Sequence, residues 1–141
     1  MLRMSSAIGM RLPAHVTGVG KALLAALPED ELARRFSGVT LERMTPNSIT
    51  TFEALMADLE ATRLRGYALD NEESSPQVGC VAAALLGPHG EVVAGMSISG
   101  PISRMNKARE GELAHLVTAA VSELGSRLGY PIERRLAAGV R

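Results

Sequence analysis

A glycine-rich helix start near the N-terminus is the first place in the sequence where chemistry is expected. In HVTGVGKALLAAL, His15 stands where a phosphate loop needs glycine, and Ala22 stands where Ser or Thr should follow the Gly-Lys pair. Nucleotide binding is therefore not expected. Gly18 and Gly20 can still expose backbone amides at a helix N-terminus, where the helix dipole favours an anion. A carboxylate site and close helix packing account equally well for these glycines.

Two further segments carry side chains that could bind a ligand. Asp70 is predicted to end a short strand, and Cys80 lies in the apolar strand that follows the polar loop NEESSPQ. Taken alone, Cys80 is expected to be a buried structural thiol, and Asp70 a loop charge that could also accept a hydrogen bond from a ligand. Strand alternation puts Ser97 and Ser99 on one face, where their hydroxyls could bind a carboxylate or keto oxygen, or simply meet solvent.

The sequence predicts no catalytic residues, no metal site and no cofactor. The three histidines lack metal-ligand spacing, and the string GMSIS lacks the final glycine of a nucleophile elbow. The enzyme alternative is a hydrolase that uses Cys80 or Ser97 with His15. No pattern in the sequence brings a base next to either nucleophile.

The elements that must position these residues form a simple order. Helices are predicted at about 18–27, from Pro28 through PEDELARRF, from Thr51 to Gly66, and at about 108–128. Strands are predicted at 67–70, 78–86 and 91–99, with the last two joined as a hairpin, and 37–49 is a loop with a possible short strand. Strands segregated from helices in this way indicate an α+β fold, an antiparallel sheet covered by helices.

Composition limits the class of protein. The chain has 141 residues, of which 46% are hydrophobic and 21% charged, as is typical of one globular domain. Its 15 basic and 15 acidic residues cancel, so it lacks the basic excess of a domain that binds nucleic acid by itself. A single cysteine excludes an intramolecular disulfide framework, and no stretch approaches the ~20 apolar residues of a membrane span. We therefore expect a cytoplasmic domain that does not contact a membrane.

Five segments match, in order, a known family of regulators. They are Ser6-x-x-Gly9-x-Arg11-x-Pro13-x-His15, Gly20-Lys21-Ala22-x-Leu24-Ala25, Arg65-Gly66-Tyr67-Ala68-x-Asp70-x-Glu72-Glu73, Cys80-x-Ala82-Ala83 and Ser97-x-Ser99-Gly100-Pro101. The similarity extends from about Ser6 to Gly129, nearly the whole chain, so the set is highly specific although no single piece is. As a set, these segments resemble the effector-binding domain of the IclR family (isocitrate lyase regulator type) of bacterial transcription regulators.

The resemblance implies a function that residue patterns alone do not give. The fold should be a GAF-like or profilin-like antiparallel sheet flanked by helices, and residues 1–141 should form one effector-binding domain. A small organic or aromatic acid should bind this domain, and DNA should be bound only through an N-terminal winged helix-turn-helix domain that this chain lacks. Homodimers or homotetramers are expected. A rival interpretation is an oligomerisation module whose pocket has degenerated.

The resemblance also assigns a pocket. The amides of Gly18 and Val19 should hold a carboxylate together with the hydroxyls of Ser97 and Ser99. Asp70 and Cys80 should contact the polar remainder of the ligand. Apolar walls should come from Met1, Met4, Leu12 and Val78.

Two departures from the family pattern bear on the acid that is bound. The family often has Gly three positions before the cysteine and Arg immediately before it, where this chain has Gln77 and Gly79. Val19 occupies a position that is often Ala, which should narrow the site near the amides. We therefore expect the identity of the effector to be the property of the family that carries over least to this chain.

Overall fold

The computed structural model describes residues 7–130. Within that range there are four α-helices: α1 (Gly18–Ala25), α2 (Glu29–Phe36), α3 (Phe52–Arg65) and α4 (Lys107–Arg127). Three strands, β1 (Ala68–Asn71), β2 (Val78–Leu86) and β3 (Val92–Pro101), lie between α3 and α4. Short 3-10 helices precede α1 (Ala14–Val16) and follow β3 (Ile102–Arg104). This order confirms the α+β prediction.

The sheet is antiparallel, in the order β1-β2-β3, and helices cover both of its faces. Because β2 is central and its side chains alternate, it needs apolar residues on both sides. On one face, β2 packs against α4 through Val81, Ala83, Leu85, Leu113, Val117 and Val121. On the other, Ala22 of α1 packs against Ala68, Cys80 and Ala82. The continuous apolar run of β2 is thus explained by burial on two sides.

The helix starts follow from capping residues. Thr17 Oγ1 accepts a hydrogen bond from Gly20 N at 3.0 Å, and Thr51 Oγ1 accepts one from Ala54 N at 3.2 Å. These side chains satisfy amides that a helix N-terminus otherwise leaves unpaired. At the C-terminal end of α3, Gly66 adopts φ 83°, a left-handed conformation that favours glycine. The predicted starts of α1 and α3 and the end of α3 are confirmed.

The bounds of α1, β1 and β3 differ from the sequence predictions, and one possible strand is absent. Strand β1 lies one residue later than predicted, at Ala68–Asn71, and β3 begins at Val92 rather than at 91. Helix α1 ends at Ala25 rather than Leu27, because the amides of Ala26 and Leu27 bond three residues back and close a tight turn before Pro28. Strand β3 continues two residues past Ser99, because the start of β2 pairs with Gly100 and Pro101. The expected short strand within 37–49 does not form. This segment is held instead by side-chain bonds from Thr45 and Ser48.

Two kinds of feature are missing from the part of the chain between residues 7 and 130. No helix there is long and apolar enough to cross a bilayer. No three His, Cys, Asp or Glu side chains there lie close enough together to hold a metal ion.

Candidate ligand-binding site

Strand register brings four of the predicted polar residues to one face of the sheet. Asp70 pairs with Cys80, and Cys80 pairs with Ser99, so the three residues form a row across β1, β2 and β3. Residues directly opposite each other in antiparallel strands point to the same side, with Cβ atoms about 5 Å apart. Ser97 lies in the neighbouring row, opposite Ala82. The two serines therefore share a face with the thiol and the carboxylate.

Helix α1 begins directly above this row. A Cβ added to Gly18 would lie 2.7 Å from Cys80 Sγ and 3.3 Å from Ala82 Cβ, so the helix start touches the centre of β2. A larger residue would force the helix away from the sheet. The close-packing interpretation of Gly18 is confirmed. The same contact brings the positive end of the helix dipole to the polar row.

The cap of α1 leaves two amides for other partners. Gly20 N donates to Thr17 Oγ1, and Lys21 N donates to the Thr17 carbonyl at 2.9 Å. Gly18 and Val19 are the first-turn residues whose N–H groups the cap does not use. The Gly18 N–H lies near Cys80 and helps to lower the pKa of its thiol. These are the two amides that the sequence analysis assigned to the acid.

The surroundings of Cys80 favour the neutral form of its thiol. Burial raises the pKa of the Cys80 thiol above its ordinary value, and the charge of Asp70 adds to the rise. The Ser99 and Ser97 hydroxyls act in the opposite direction without reversing it. His15, the base of the hydrolase alternative, is buried and bonds through Nε2 to the Glu42 carbonyl at 2.9 Å. A protonated thiol is a poor nucleophile, so these contacts count against that alternative.

Asp70 is buried, and its carboxylate accepts hydrogen bonds from the loop that follows β1. Its Oδ1 accepts a hydrogen bond from Glu73 N at 2.8 Å, and its Oδ2 accepts one from Ser74 Oγ at 2.6 Å. Asp70 itself lies in β1, one residue before the strand ends. An ionised carboxylate offers about four acceptor positions, so Asp70 can accept a further hydrogen bond from a ligand hydroxyl.

A buried lysine is the main feature that the sequence analysis missed. Lys21 is 0% exposed, and its Nζ lies 2.8 and 2.7 Å from the two carboxylate oxygens of Glu73. Asp58 Oδ2 on α3 lies 3.1 Å from the same Nζ and forms an ion pair with it, but the geometry does not make a hydrogen bond. The available signal was position: Lys21 comes nearly one helical turn after Gly18, on the face turned toward the sheet.

Burial dominates the electrostatics of this lysine–glutamate pair. It raises the pKa of the Glu73 carboxyl above its ordinary value near 4.5, whereas the Lys21 charge and hydrogen bonds lower it by less. The net direction is upward. For the Glu73 carboxylate, the cost of desolvation therefore exceeds the stabilisation that Lys21 provides.

The predicted apolar walls are distributed unevenly. Val78 is buried two residues before Cys80, and strand alternation puts both on the same face. Leu12 precedes the first 3-10 helix and is 46% exposed. Met1 and Met4 lie outside the described residues. Val78 is thus the wall residue that the geometry links most directly to the polar row.

The departures at positions 19 and 79 have different consequences. A Cβ on Gly95 would lie 2.8 Å from Val19 Cγ1, so the valine side chain packs on β3 two residues before Ser97. A Cβ on Gly79 would meet Met105 and Ile102, at 2.8 and 2.9 Å, on the face opposite Cys80. A side chain at position 79 would therefore point away from the polar row.

The chain is similar to known bacterial transcription regulators. The family described as bacterial transcriptional regulator IclR C-terminal matches residues 1–126. The HTH-type transcriptional repressor AllR of Escherichia coli K12 is 39% identical over 129 residues, 92% of this chain and 48% of AllR. This chain thus spans about half the length of the curated relatives it matches.

Solved structures share the fold. The Thermotoga maritima IclR structure superposes with a TM-score of 0.86 at 36% identity, covering 92% of this chain and 53% of that one. The inducer-binding domain of the transcription factor PobR from Acinetobacter, a double mutant in complex with 3-hydroxybenzoic acid, gives a TM-score of 0.77 at 28% identity. That match covers 88% of this chain and 73% of the PobR domain.

Proposed function

We propose that this chain, which belongs to the IclR family of bacterial transcriptional regulators, binds a small organic or aromatic acid and thereby controls a DNA-binding domain elsewhere in the full protein. The observation that carries the proposal is the row Asp70–Cys80–Ser99 beneath the first turn of α1. The Cys80 thiol and the Ser99 hydroxyl of this row are neutral groups that can donate at the positive end of a helix, which suits a carboxylate. Asp70, at the other end of the row, is an acceptor and suits a hydroxyl of the ligand instead.

Each group in the site has a distinct part in binding. The amides of Gly18 and Val19 and the hydroxyls of Ser97 and Ser99 donate to the carboxylate of the ligand. Asp70 and Cys80 contact its polar remainder, and Met4, Leu12 and Val78 bound its apolar part. Neutral donors hold the acid without a buried arginine or lysine in contact with it, so affinity depends on hydrogen-bond geometry.

Control of DNA binding follows from a shift between states. An acid that binds one quaternary arrangement of a homodimer or homotetramer more tightly increases the population of that arrangement. The PobR inducer-binding domain in complex with an aromatic acid supports this proposal, because it shares the fold of this chain. No catalytic step is proposed, and none is required for this mechanism.

Calorimetry and thermal shift measurements with glyoxylate, pyruvate and hydroxybenzoates test the proposal. We expect at least one acid to stabilise the wild-type protein, and the variant Ser97→Ala/Ser99→Ala to bind it about tenfold more weakly. Ser126→Ala, on the exposed surface of α4, is the matched control and should bind as the wild type does. If no acid binds, or if the double variant binds normally, the assignment of the site is wrong.

A second candidate is an oligomerisation module with a closed pocket. The contact between Gly18 and Cys80 and the packing of Val19 on Gly95 favour it, because both bring α1 close to the sheet. Native mass spectrometry of protein purified from cells separates the two functions. Retained acid supports the sensor, whereas ligand-free oligomers that no acid in the panel changes support the module.

A further inference from the structure

We infer that Lys21 is a positioning residue: through Glu73 it sets the distance between the acid-binding amides of α1 and the hydrogen-bond acceptor Asp70. The inference rests on the proposed function and adds a determinant of ligand selectivity to it. Lys21 itself does not contact the ligand. Its role is to hold the amides of α1 and the carboxylate of Asp70 on β1 at a fixed distance from each other.

A continuous set of contacts connects the two ends. Lys21 lies on the first turn of α1, three residues after Gly18, and its Nζ binds both carboxylate oxygens of Glu73. The backbone N–H of Glu73 in turn donates to Asp70 Oδ1 at 2.8 Å. Glu73 is thus the single residue that connects Lys21 to Asp70 through hydrogen bonds. When Glu73 moves, the N–H group that donates to Asp70 moves with it.

The loop that carries Glu73 is also anchored on its outer side. Ser48 Oγ donates to the Glu73 carbonyl at 2.7 Å, and Thr45 Oγ1 donates to the Glu72 carbonyl at 2.7 Å. Glu72 and Gln77 adopt φ values of 58° and 63°, which side-chain-bearing residues rarely adopt. A loop with this backbone keeps its shape only when its contacts hold it, so the Lys21 pair is one of several restraints on the loop whose N–H groups bind Asp70.

Fold stability is not the main effect of the pair. Lys21 and Glu73 are both buried, and the desolvation of such a pair offsets its attraction. Neutral side chains of similar size, as in Lys21→Met/Glu73→Gln, should therefore leave the protein folded. Asp58, the other carboxylate near Lys21 Nζ, has a side chain that is 27% exposed and can turn toward water when the lysine is replaced. Stability and ligand selectivity can thus be separated by experiment.

Glycolate and acetate are the matched probes, because glycolate has one additional hydroxyl group, from which Asp70 can accept a hydrogen bond. We expect the wild-type protein to bind glycolate about tenfold more tightly than acetate in NMR titrations, since a hydrogen bond to a buried charged group is worth about that factor. In Lys21→Met/Glu73→Gln this preference should fall below about twofold, while acetate affinity changes little. Asp70→Asn should remove most of the preference, and adding it to the double variant should have no further effect.

The controls keep the outcomes distinct. Leu32→Ala removes a fully buried side chain of α2, so it should lower the melting temperature and keep the glycolate preference. If the double variant does not fold, Glu73→Gln alone, which leaves Lys21 beside Asp58, provides the same readout. An unchanged preference in a folded variant overturns the inference, as does a wild-type protein without any preference. Failure of glycolate, acetate and the whole acid panel to bind would instead overturn the proposed function.

Discussion

The two faces of the nine-residue strand β2 are built from alternate residues and differ in chemistry. The face toward α4 is aliphatic, with Val81, Ala83 and Leu85 packed on Leu113, Val117 and Val121. The face toward α1 has small residues and polar neighbours: Cys80 and Ala82 lie between Asp70 on β1 and the two serines on β3. One strand therefore separates an ordinary core from a row of hydrogen-bonding groups.

This difference separates the residues that we expect to stabilise the fold from those that we propose to bind the ligand. Large aliphatic side chains on the α4 face bury the area that drives folding. On the α1 face, Gly18 and three alanines let the helix approach closely, which brings its amides to the thiol and the hydroxyls. Substitutions on the α4 face should act mainly on the free energy of unfolding, and those in the polar row mainly on ligand binding.

The largest effect is expected from Leu85→Ala on the α4 face. Leu85 is 2% exposed, so its truncation leaves a cavity and should lower the free energy of unfolding by about 2–5 kcal/mol. Urea denaturation followed by circular dichroism measures the change. Leu64→Ala, at a position that is 78% exposed, is the control and should change stability by less than about 0.5 kcal/mol. A loss below about 1 kcal/mol at Leu85 would contradict the assignment of the main core.

The next effect is expected from Gly18→Ala on the α1 face. The added Cβ would lie 2.7 Å from Cys80 Sγ, so the helix must shift, at a cost of about 1–3 kcal/mol. Cys80→Ala removes the sulfur and should recover part of this loss in the double variant, as a double-mutant cycle in urea would show.

Gly111→Ala on α4 is the matched control for that substitution. No atom lies within 4 Å of the Cβ that would be added there, and alanine is a better helix former, so stability should rise by up to about 1 kcal/mol. If the two substitutions had the same effect, the close contact at Gly18 would be disproved.

The fold could be predicted in detail because its signals are local. Thr17, Thr51 and Gly66 mark helix ends through their own backbone chemistry, and the run 78–86 predicts β2 with its observed bounds. The alternation of Ser97 and Ser99 also predicts that they share a face. These features depend on near neighbours in the sequence, which a single chain displays directly.

The missed features depend on residues far apart in the sequence. Lys21 and Glu73 are 52 positions apart, and neither residue alone shows that it is buried with a partner. The contact of Gly18 with Cys80 likewise depends on how α1 lies on the sheet. The resemblance to a family predicted the site residues, whereas strand register explains why four of the predicted residues share a face.

A pH-dependent effect should distinguish the two faces further. Because the pKa of Glu73 is raised in the folded state, folding favours its protonated form. The resulting stabilisation is fully present below the ordinary value near 4.5 and is lost as the pH rises through the raised value. Wild-type stability should therefore fall relative to that of Glu73→Gln across this window, by less than the limit of about 1.4 kcal/mol per pH unit for one proton.

Urea denaturation between pH 4 and pH 8 measures this difference. Leu85→Ala is the control, since an aliphatic position carries no proton and its cost should be independent of pH. A difference between wild type and Glu73→Gln that stays constant would show that Lys21 fully offsets burial at Glu73. A difference that grows in favour of the wild type at higher pH would show that Lys21 outweighs burial.

The smallest effect on stability is expected from Ser99→Ala in the polar row. Ser99 is half-buried and its hydroxyl interacts with the Cys80 thiol, so the free energy of unfolding should change by only about 0.5 kcal/mol. The chemistry of the row should nevertheless change. Ser99 is the group that most lowers the pKa of the Cys80 thiol, and without it burial and the Asp70 charge raise that pKa further. Alkylation of Cys80 should then require a higher pH than in the wild-type protein. An unchanged alkylation profile, or a large loss of stability, would mean that Ser99 belongs to the core and that the two faces of β2 are less distinct than their composition indicates.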